Sequence, residues 1–326
     1  MDLVRPSEHA DPVAAVIAAH RTGATLALST SGTTGPARSI LRSTRSWWGS
    51  FPAYTALSGV TSGSRLWVPG PPTSTMVLFA AVHAAATGAV VVADPADATH
   101  ACLTPALLAR RGSELSPGVH VVVAGAALPA RMVDEATQRG LTLSHYYGAA
   151  ELSFVAAGTP GSGLRPFHDV EVELRDAPHP GTIWVRSPWV CDGYEGTPGA
   201  LQRDGGWVTV GDVGRFEAGV LHVLGRPDAV TTAGATVQLA DVDAALRPAA
   251  HGDFAVHGVP HPTFGELIAV TLVDPGDLAR LQSAASMLPS SHRPRVWRTV
   301  DELPLTEAGK IDRIALRDNE SAGAVL

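Results

Sequence analysis

Several features that would assign this 326-residue chain to particular classes of protein are scarce or absent. Cys102 and Cys191 are its only cysteines and lie far apart in the sequence, which argues against a disulfide framework. No apolar run is long enough to span a membrane, and the first residues show no secretory pattern. The formal net charge of −7 argues against a nucleic-acid partner, which would require a basic face. The chain is therefore expected to be a cytoplasmic globular protein.

Signatures of several enzyme classes are also missing. The sequence contains no His-Glu-x-x-His zinc helix, no Cys-x-x-Cys pair and no Gly-x-Ser-x-Gly nucleophile elbow. Most of the 13 histidines are isolated in the sequence. We therefore expect neither a metal site built from protein ligands alone nor serine-hydrolase chemistry.

The most informative stretch that is present covers residues 26–38 and reads Leu-Ala-Leu-Ser-Thr-Ser-Gly-Thr-Thr-Gly-Pro-Ala-Arg. Residues 25–28 are predicted to form a buried strand, and the glycines and small hydroxylated residues after it favour a loop whose backbone amides face one way. Such a loop forms an anion-binding concavity, to which Arg38 adds the charge that a polyphosphate requires. A Walker loop is excluded, since no Gly-Lys-Ser/Thr follows. A phosphate loop and a plain surface turn remain the two interpretations of this stretch alone.

The order of predicted elements indicates the fold class. Between residues 65 and 146, strands and helices alternate, which predicts an open, mainly parallel α/β sheet, with residues 89–93 as a buried strand. Short alternating strands after residue 158 predict a small, mainly antiparallel β-subdomain. From residue 225 onward, mixed helices and strands predict a small α+β lid. The predicted domains are residues 1–226 and 227–326, and ligands are expected where the loops 124–128 and 146–151 emerge from the sheet.

Five short motifs, taken in their order, resemble those of the AMP-forming acyl-CoA synthetase superfamily. They are Thr30-Ser-Gly-Thr-Thr-Gly35, Ala124-Gly-Ala-Ala-Leu128, Tyr146-Tyr-Gly-Ala-Ala-Glu151, Gly211-Asp212 with Gly225-Arg226-Pro-Asp228, and Pro304-Leu-Thr-Glu-Ala-Gly-Lys310. The resemblance implies an acid–thiol ligase that joins a carboxylic acid to the α-phosphate of ATP and then passes the acyl group to coenzyme A. It also implies Mg²⁺ as a cofactor and a lid that swings between the two half-reactions.

The resemblance assigns a role to each matching residue. Lys310 would bridge the carboxylate and the α-phosphate in the first step, and the loop at Gly234 would replace it and line the pantetheine tunnel in the second. Glu151 would help to hold Mg²⁺, because a carboxylate together with nucleotide phosphates suits this hard ion. The predicted catalytic residues are Lys310, Glu151 and Arg38, the hinge is Asp228, and the cofactor-binding residues are Thr30, Ser31, Gly32, Thr33, Thr34, Gly35, Gly125, Ala126, Tyr147, Gly148, Asp212, Arg226 and Gly234.

The chain also departs from the family pattern. The phosphate loop follows a single predicted helix, so the chain resembles a member shortened at its start, and the apolar surface left there could be covered in a homodimer. Ala150 stands in place of a phosphate-binding Thr, and Val210 replaces the Thr before Gly-Asp; the loss of one such donor can cost on the order of 10²-fold in rate. A catalytically degenerate nucleotide-binding remnant is therefore one alternative hypothesis.

Two further alternatives concern the substrates. The run Tyr-Gly-Ala-Ala-Glu-Leu-Ser-Phe resembles fatty-acyl–CoA ligases, which favours a fatty or aryl acid, whereas the compact size resembles short o-succinylbenzoate–CoA ligases. The acyl acceptor could also be a carrier protein in place of coenzyme A. Residues 67–79 and 149–155 are expected to line the acyl pocket, and their apolar character favours an aliphatic or aromatic acid over an amino acid.

Overall fold

The structure is a computed structural model that describes residues 2–29, 39–175, 180–196, 199–225, 229–304, 311 and 313–318. The chain folds into two compact units, with the boundary between Leu224 and Gly225. Within the described ranges, no helix combines the length and the apolar character that a membrane crossing requires.

The helices of the first unit begin and end at local sequence signals. Asp11, Ser43 and Thr104 are N-caps, and each side chain accepts a hydrogen bond from a backbone amide in the first turn. A glycine in the left-handed conformation ends each of the first three α-helices. The α-helices are α1 (Pro12–Thr22), α2 (Thr44–Ser58), α3 (Thr75–Thr87), α4 (Pro105–Arg111) and α5 (Ala130–Gln138), and short 3₁₀ helices lie at Pro6–Glu8, Pro95–Asp97 and Gly112–Glu114.

The strands up to the boundary form three sheets among the described residues. They are β1 (Leu3–Val4), β2 (Thr25–Ser29), β3 (Ser39–Ser43), β4 (Arg65–Trp67), β5 (Val90–Val91), β6 (His100–Leu103), β7 (His120–Val123), β8 (Thr142–Ala149), β9 (Ser153–Gly158), β10 (Arg165–Pro166), β11 (Glu171–Arg175), β12 (Gly181–Arg186), β13 (Gly193–Glu195), β14 (Gln202–Asp204), β15 (Trp207–Thr209), β16 (Val213–Glu217) and β17 (Val220–Gly225).

The largest sheet has the order β10-β9-β8-β7-β6-β4-β5. Strands β4 to β8 pair in parallel, whereas β9 and β10 are antiparallel, so the sheet is mixed and the prediction of a mainly parallel sheet holds only for its central part. Because β7 and β8 are parallel neighbours, the segments after both strands emerge at the same edge.

The strand before the predicted phosphate loop belongs to a different sheet. Its order is β1-β2-β3-β13, and Ser29 at the end of β2 lies opposite Ser39 at the start of β3. The nine residues between them therefore connect two antiparallel neighbours. The alternation of strands and helices could not reveal this separation, because sheet membership depends on pairing between remote segments.

The third sheet confirms the predicted antiparallel β-subdomain. Its order is β14-β15-β12-β16-β17, with β11 also paired to β12. The β11–β12, β12–β15, β12–β16 and β14–β15 pairs are antiparallel.

The second unit has mixed α and β structure, as the sequence predicts. Its sheet order is β19-β18-β21-β20, with β22 parallel to β21, and buried Val242, Leu246 and Leu281 pack helices against this sheet. The elements are β18 (Ala229–Thr232), β19 (Ala235–Gln238), α6 (Leu239–Leu246), β20 (Phe254–His261), β21 (Gly265–Leu272), α7 (Leu278–Ser286), β22 (Val296–Thr299) and α8 (Arg313–Asp318), with 3₁₀ helices at Arg247–Ala249, Pro275–Asp277 and Ser290–His292.

One predicted strand has a different environment from the one expected. The sequence predicts a buried strand at residues 89–93, but only Val90–Val91 pair as β5, at the edge of the largest sheet. Val90 is 59% exposed and Val91 47% exposed. An apolar run can therefore occupy an edge position as well as a central one, and the run alone does not distinguish them.

Candidate active site

The predicted site residues divide into those that the structure describes and those that it does not. Described are Gly125, Ala126, Tyr147, Gly148, Glu151, Asp212 and Gly234, whereas Thr30, Ser31, Gly32, Thr33, Thr34, Gly35, Arg38, Arg226, Asp228 and Lys310 lie outside the described residues. In the first unit, the described site residues lie at the ends of strands, where loops leave the sheets.

Two glycines have conformational reasons for their positions. Gly125, just after β7, has φ +89°, in the left-handed region that favours glycine. Gly148, in β8, faces its hairpin partner so closely that an added Cβ would lie 2.0 Å from the backbone oxygen of Ser153. The pairing of β8 with β9 shifts its register between Tyr147 and Gly148, and this β-bulge changes the direction of the end of β8.

Two of the predicted cofactor-binding residues, Tyr147 and Asp212, contact each other. The hydroxyl of Tyr147 donates a hydrogen bond of 2.7 Å to Oδ2 of Asp212, which is only 9% exposed. The two residues lie 65 positions apart in sequence. Their contact brings the end of β8 and the loop before β16 into one site.

The turn that carries Asp212 is held by a hydroxyl. Thr209 donates a hydrogen bond of 2.7 Å to the carbonyl of Ile183 and accepts one of 3.0 Å from the amide of Gly211. Val210, one of the departures from the family pattern, is buried in the core at 2% exposure. Thr209 thus stabilises the turn from the neighbouring position.

Glu151, the predicted Mg²⁺ ligand, is held by a tyrosine from another sheet. The hydroxyl of Tyr194 donates a hydrogen bond of 2.8 Å to Oε1 of Glu151 and accepts one of 3.1 Å from the amide of Leu201. Burial, together with the charge of Glu151, raises the pKa of Tyr194, so the phenol keeps its proton and remains a donor. Tyr194 lies on β13, opposite Ile40 of the strand that follows the predicted phosphate loop.

A fully buried arginine supports the same turn. Arg42, on β3, is 0% exposed and donates hydrogen bonds to the carbonyls of Trp189, Ala150 and Glu151. The distances to the last two oxygens are 2.7 Å and 3.2 Å. Burial lowers the pKa of Arg42 to about 10, so the guanidinium is still charged at neutral pH. Arg42 therefore ties the strand that leaves residues 30–38 to the backbone around Glu151.

Sequence reasoning missed Arg42, Tyr194 and Thr209. One signal for Arg42 was available: strand alternation puts it on the same face as the fully buried Ile40, and a charge on a buried face needs partners. Tyr194 has no comparable signal, because its partner Glu151 is 43 positions away.

In the second unit, Gly234 lies in the two-residue turn of the β18–β19 hairpin. Ala233 has φ +50° and Gly234 φ +87°, the combination that a type I′ hairpin turn requires. Gly234 suits this turn, whereas Ala233 adopts it with some strain. The turn gives the predicted pantetheine-lining residue an exposed position at the hairpin tip.

The two stretches predicted to line an acyl pocket meet in the packed core. Phe79 and Phe154 are 5% and 3% exposed, and their ring centroids lie 4.8 Å apart. Tyr54 contacts both rings. Aromatic side chains therefore fill the space between these parts of the two stretches.

Comparisons with known proteins find similar ligases and synthetases. No family model matches the chain. The uncharacterized acyl–CoA ligase YhfT of Bacillus subtilis is 29% identical over 87% of this chain and 66% of its own length. A probable 2-succinylbenzoate–CoA ligase of Mycobacterium tuberculosis is 32% identical over 60% of this chain and 52% of its own length.

A solved structure is similar in fold and in sequence. The amide bond synthetase McbA from Marinactinospora thermotolerans has a TM-score of 0.71 and 29% identity, over 90% of this chain and 68% of its own. The chain spans about half to two thirds of the length of the curated relatives described above. By sequence and by fold, this chain is similar to acyl–CoA ligases and to an amide bond synthetase.

Proposed function

We propose that the protein is an AMP-forming acid–thiol ligase. In the first half-reaction, a carboxylate oxygen attacks the α-phosphate of ATP, forming an acyl-adenylate and releasing pyrophosphate. In the second, the thiol of coenzyme A attacks the acyl carbon, AMP leaves, and a thioester forms. The first step brings anions together, so it depends on cations and donors around the phosphates more than on a nucleophilic side chain.

The observation that carries this proposal is the contact between Tyr147 and Asp212, with Glu151 held close to the strand that leaves residues 30–38. An aromatic ring beside a buried carboxylate suits a nucleoside, since the ring can stack on the base and the carboxylate can accept hydrogen bonds from ribose hydroxyls. Of the 24 lysines and arginines in the chain, only Lys310 is a lysine. The single compact ammonium group thus lies at a position that the family resemblance predicts to be catalytic.

The residues present fit Mg²⁺ as a cofactor. Tyr194 engages Oε1 of Glu151, and within the described part of the chain Oε2 has no hydrogen-bond partner, so it can face a cation. Hard cations such as Mg²⁺ prefer carboxylate and phosphate oxygens and retain several waters. When bound, the ion would neutralise phosphate charge as pyrophosphate departs. Arg42 and Tyr194 would keep the Glu151 carboxylate in place.

We propose a fatty or aryl acid, and o-succinylbenzoate is an alternative that the Mycobacterium tuberculosis relative favours. An amine acceptor is a second candidate, because the similar amide bond synthetase forms an amide, which needs an amine. A carrier protein, a homodimer and a cytoplasmic location stay predictions.

The direct test is ATP–pyrophosphate exchange by the purified protein with Mg²⁺ and a panel of fatty, aryl and dicarboxylic acids. An active acid should then give AMP and an acyl product with coenzyme A, an amine or a phosphopantetheinylated carrier, and the productive acceptor identifies the reaction. A protein that binds ATP but supports no exchange with any acid would be the degenerate remnant instead.

Lys310→Ala tests the predicted catalytic lysine. Without its charge beside the α-phosphate, formation of the acyl-adenylate should slow by about 10²- to 10³-fold. Transfer from a pre-made adenylate to the acceptor should be unchanged, because the proposed second step does not use Lys310. Arg131→Ala, which removes an 84% exposed cation, is the matched control and should leave both steps unchanged. Equal slowing of both steps by Lys310→Ala would contradict the alternation of the lid.

The single lysine also permits a test that does not depend on turnover. An amine-selective reagent can modify only Lys310 and the chain's N-terminal amine, so the labelled peptide identifies the site by mass. ATP with Mg²⁺ should protect Lys310 from the reagent, whereas ATP with a chelator should protect it less.

A further inference from the structure

The carboxylate of Glu266, on β21 of the second unit, lies where two other elements of that unit meet. Its Oε2 accepts a hydrogen bond of 3.2 Å from the backbone amide of Thr231, on β18. Its Oε1 lies 3.3 Å from Nη1 of Arg317, on α8. The side chain of Glu266 is 13% exposed and that of Arg317 is 33% exposed, so the pair is partly shielded from water and from salt.

Two glycines lie beside this ion pair. A Cβ added to Gly258 would lie 3.1 Å from Oε1 of Glu266, a tight contact, whereas one added to Gly225 would lie at an ordinary contact distance of 3.5 Å from Nη1 of Arg317. Gly225 has φ +102° and is the residue at which the second unit begins. The ion pair therefore lies against the segment by which the chain enters this unit.

Helix α8 has further anchors within the same unit. Nε of Arg313 donates a hydrogen bond of 3.1 Å to the carbonyl of Val256 on β20. Arg298, on β22, donates one of 3.3 Å to the carbonyl of Leu316. Together with the contact to Glu266, these bonds give α8 a defined place on the sheet.

The two elements that Glu266 contacts lie close in sequence to Gly234 and Lys310, the two residues of the second unit that the proposed reaction uses. Thr231 is on the strand that leads to Gly234, at the tip of the hairpin. Helix α8 begins three residues after Lys310. The carboxylate of Glu266 thus links the β18–β19 hairpin with helix α8, which follows Lys310 in sequence.

We propose that Glu266 is a positioning residue that holds the Gly234 hairpin and helix α8 in one arrangement, so that the second unit keeps a constant internal geometry through both half-reactions. Residues that support catalytic groups act by fixing them, and displacements of about 1 Å can be costly. If the carboxylate bond is lost, the hairpin and the helix can shift independently. The assignment of the two half-reactions rests on the proposed function, whereas the structural link between hairpin and helix does not.

Amide hydrogen exchange tests the link without any activity. In Arg317→Ala, exchange in peptides covering residues 229–238 should accelerate about tenfold, although the substitution is on α8, because loss of the cation loosens Glu266 from Thr231. Glu266→Gln should accelerate exchange in both the hairpin and residues 313–318. Arg317→Lys keeps the charge and should restore most of the protection. Asp243→Asn, which breaks an ion pair with Arg247 elsewhere in this unit, is the matched control and should leave both segments unchanged.

Half-reaction rates test the functional part of the proposal. Glu266→Gln should slow adenylate formation and acyl transfer by similar factors, in contrast to Lys310→Ala, which should slow only the first. The proposal is overturned if Arg317→Ala leaves hairpin exchange at the wild-type rate, or if Glu266→Gln slows a single half-reaction. If the protein proves to have no ligase activity, the exchange experiment still decides whether Glu266 couples the two elements.

Discussion

Replacing Arg42 is the most direct test of how the fold holds the candidate site. Arg42→Met keeps much of the aliphatic length of the side chain but removes the guanidinium. Three backbone carbonyls then lose a donor: the bond to Trp189 is buried, and those to Ala150 and Glu151 are partly buried. The carbonyl of Glu151 keeps a second bond, of 2.8 Å, from the amide of Cys191.

The magnitude follows from the groups left unpaired. Loss of a donor leaves the carbonyls of Trp189 and Ala150 unsatisfied at about 1–3 kcal/mol each. Part of this loss in the free energy of unfolding is offset, because the variant no longer has to bury a charged guanidinium. We expect the free energy of unfolding to fall by about 2–4 kcal/mol, which corresponds to a lower urea midpoint by roughly 1 M.

Urea denaturation followed by tryptophan fluorescence measures this change in the first unit, since every tryptophan except Trp297 precedes the boundary between the units. Arg131→Met is the matched control: it removes an 84% exposed arginine and should change stability by no more than about 0.5 kcal/mol. Arg42→Lys should recover only part of the loss, because an ammonium group cannot reproduce the planar fork of donors.

The reasoning would be refuted if Arg42→Met and Arg131→Met had the same urea midpoint. It would also be refuted if Arg42→Lys were as stable as the wild type, because a buried charge alone would then suffice. A loss of stability without any loss of Mg²⁺–ATP affinity would separate the role of Arg42 in the fold from a role in placing Glu151.

Two further predictions concern single side chains. Tyr194→Phe removes the donor to Glu151, so the affinity for Mg²⁺–ATP should fall about tenfold while the affinity for metal-free ATP changes little. Isothermal titration with and without a chelator would measure both affinities. Equal changes in the two would argue against a role of Glu151 in holding Mg²⁺. Burial lowers the pKa of the fully buried His83 to about 4, so below the unfolded-state pKa of about 6.5 the unfolded chain takes up a proton that the native state does not. Stability should therefore fall by up to about 3 kcal/mol between pH 6.5 and pH 4, and His83→Gln should flatten this dependence in urea titrations; an unchanged slope would contradict it.

Local rules in the sequence accounted for many of the elements. Helix α4 illustrates such a rule, since a Thr cap, a Pro in the first turn and nearby apolar residues all lie within a few positions. Likewise, Ser43 caps the start of α2, and α1 and α3 each end at a glycine. These signals depend on hydrogen bonds between residues close in sequence, so the sequence alone contains them.

The family motifs were also readable from the sequence, because each is contiguous. They predict candidate site residues, including Tyr147, Glu151 and Asp212, without any geometry. They did not indicate how these residues are held. The motifs at residues 30–38, 226–228 and 305–310 stay predictions for geometry, since they lie outside the described residues.

Only the tertiary structure decided the contacts that support the site. The separation of β2 from the parallel sheet, the Tyr147–Asp212 bond and the bond from Tyr194 to Glu151 all join segments that are remote in sequence. Such contacts depend on strand order and register, which are set by the packing of the whole unit and not by local propensity. Arg42 stands between the two cases: alternation along β3 predicts that it faces the core, but only the folded unit supplies the carbonyls that make a buried guanidinium tolerable there.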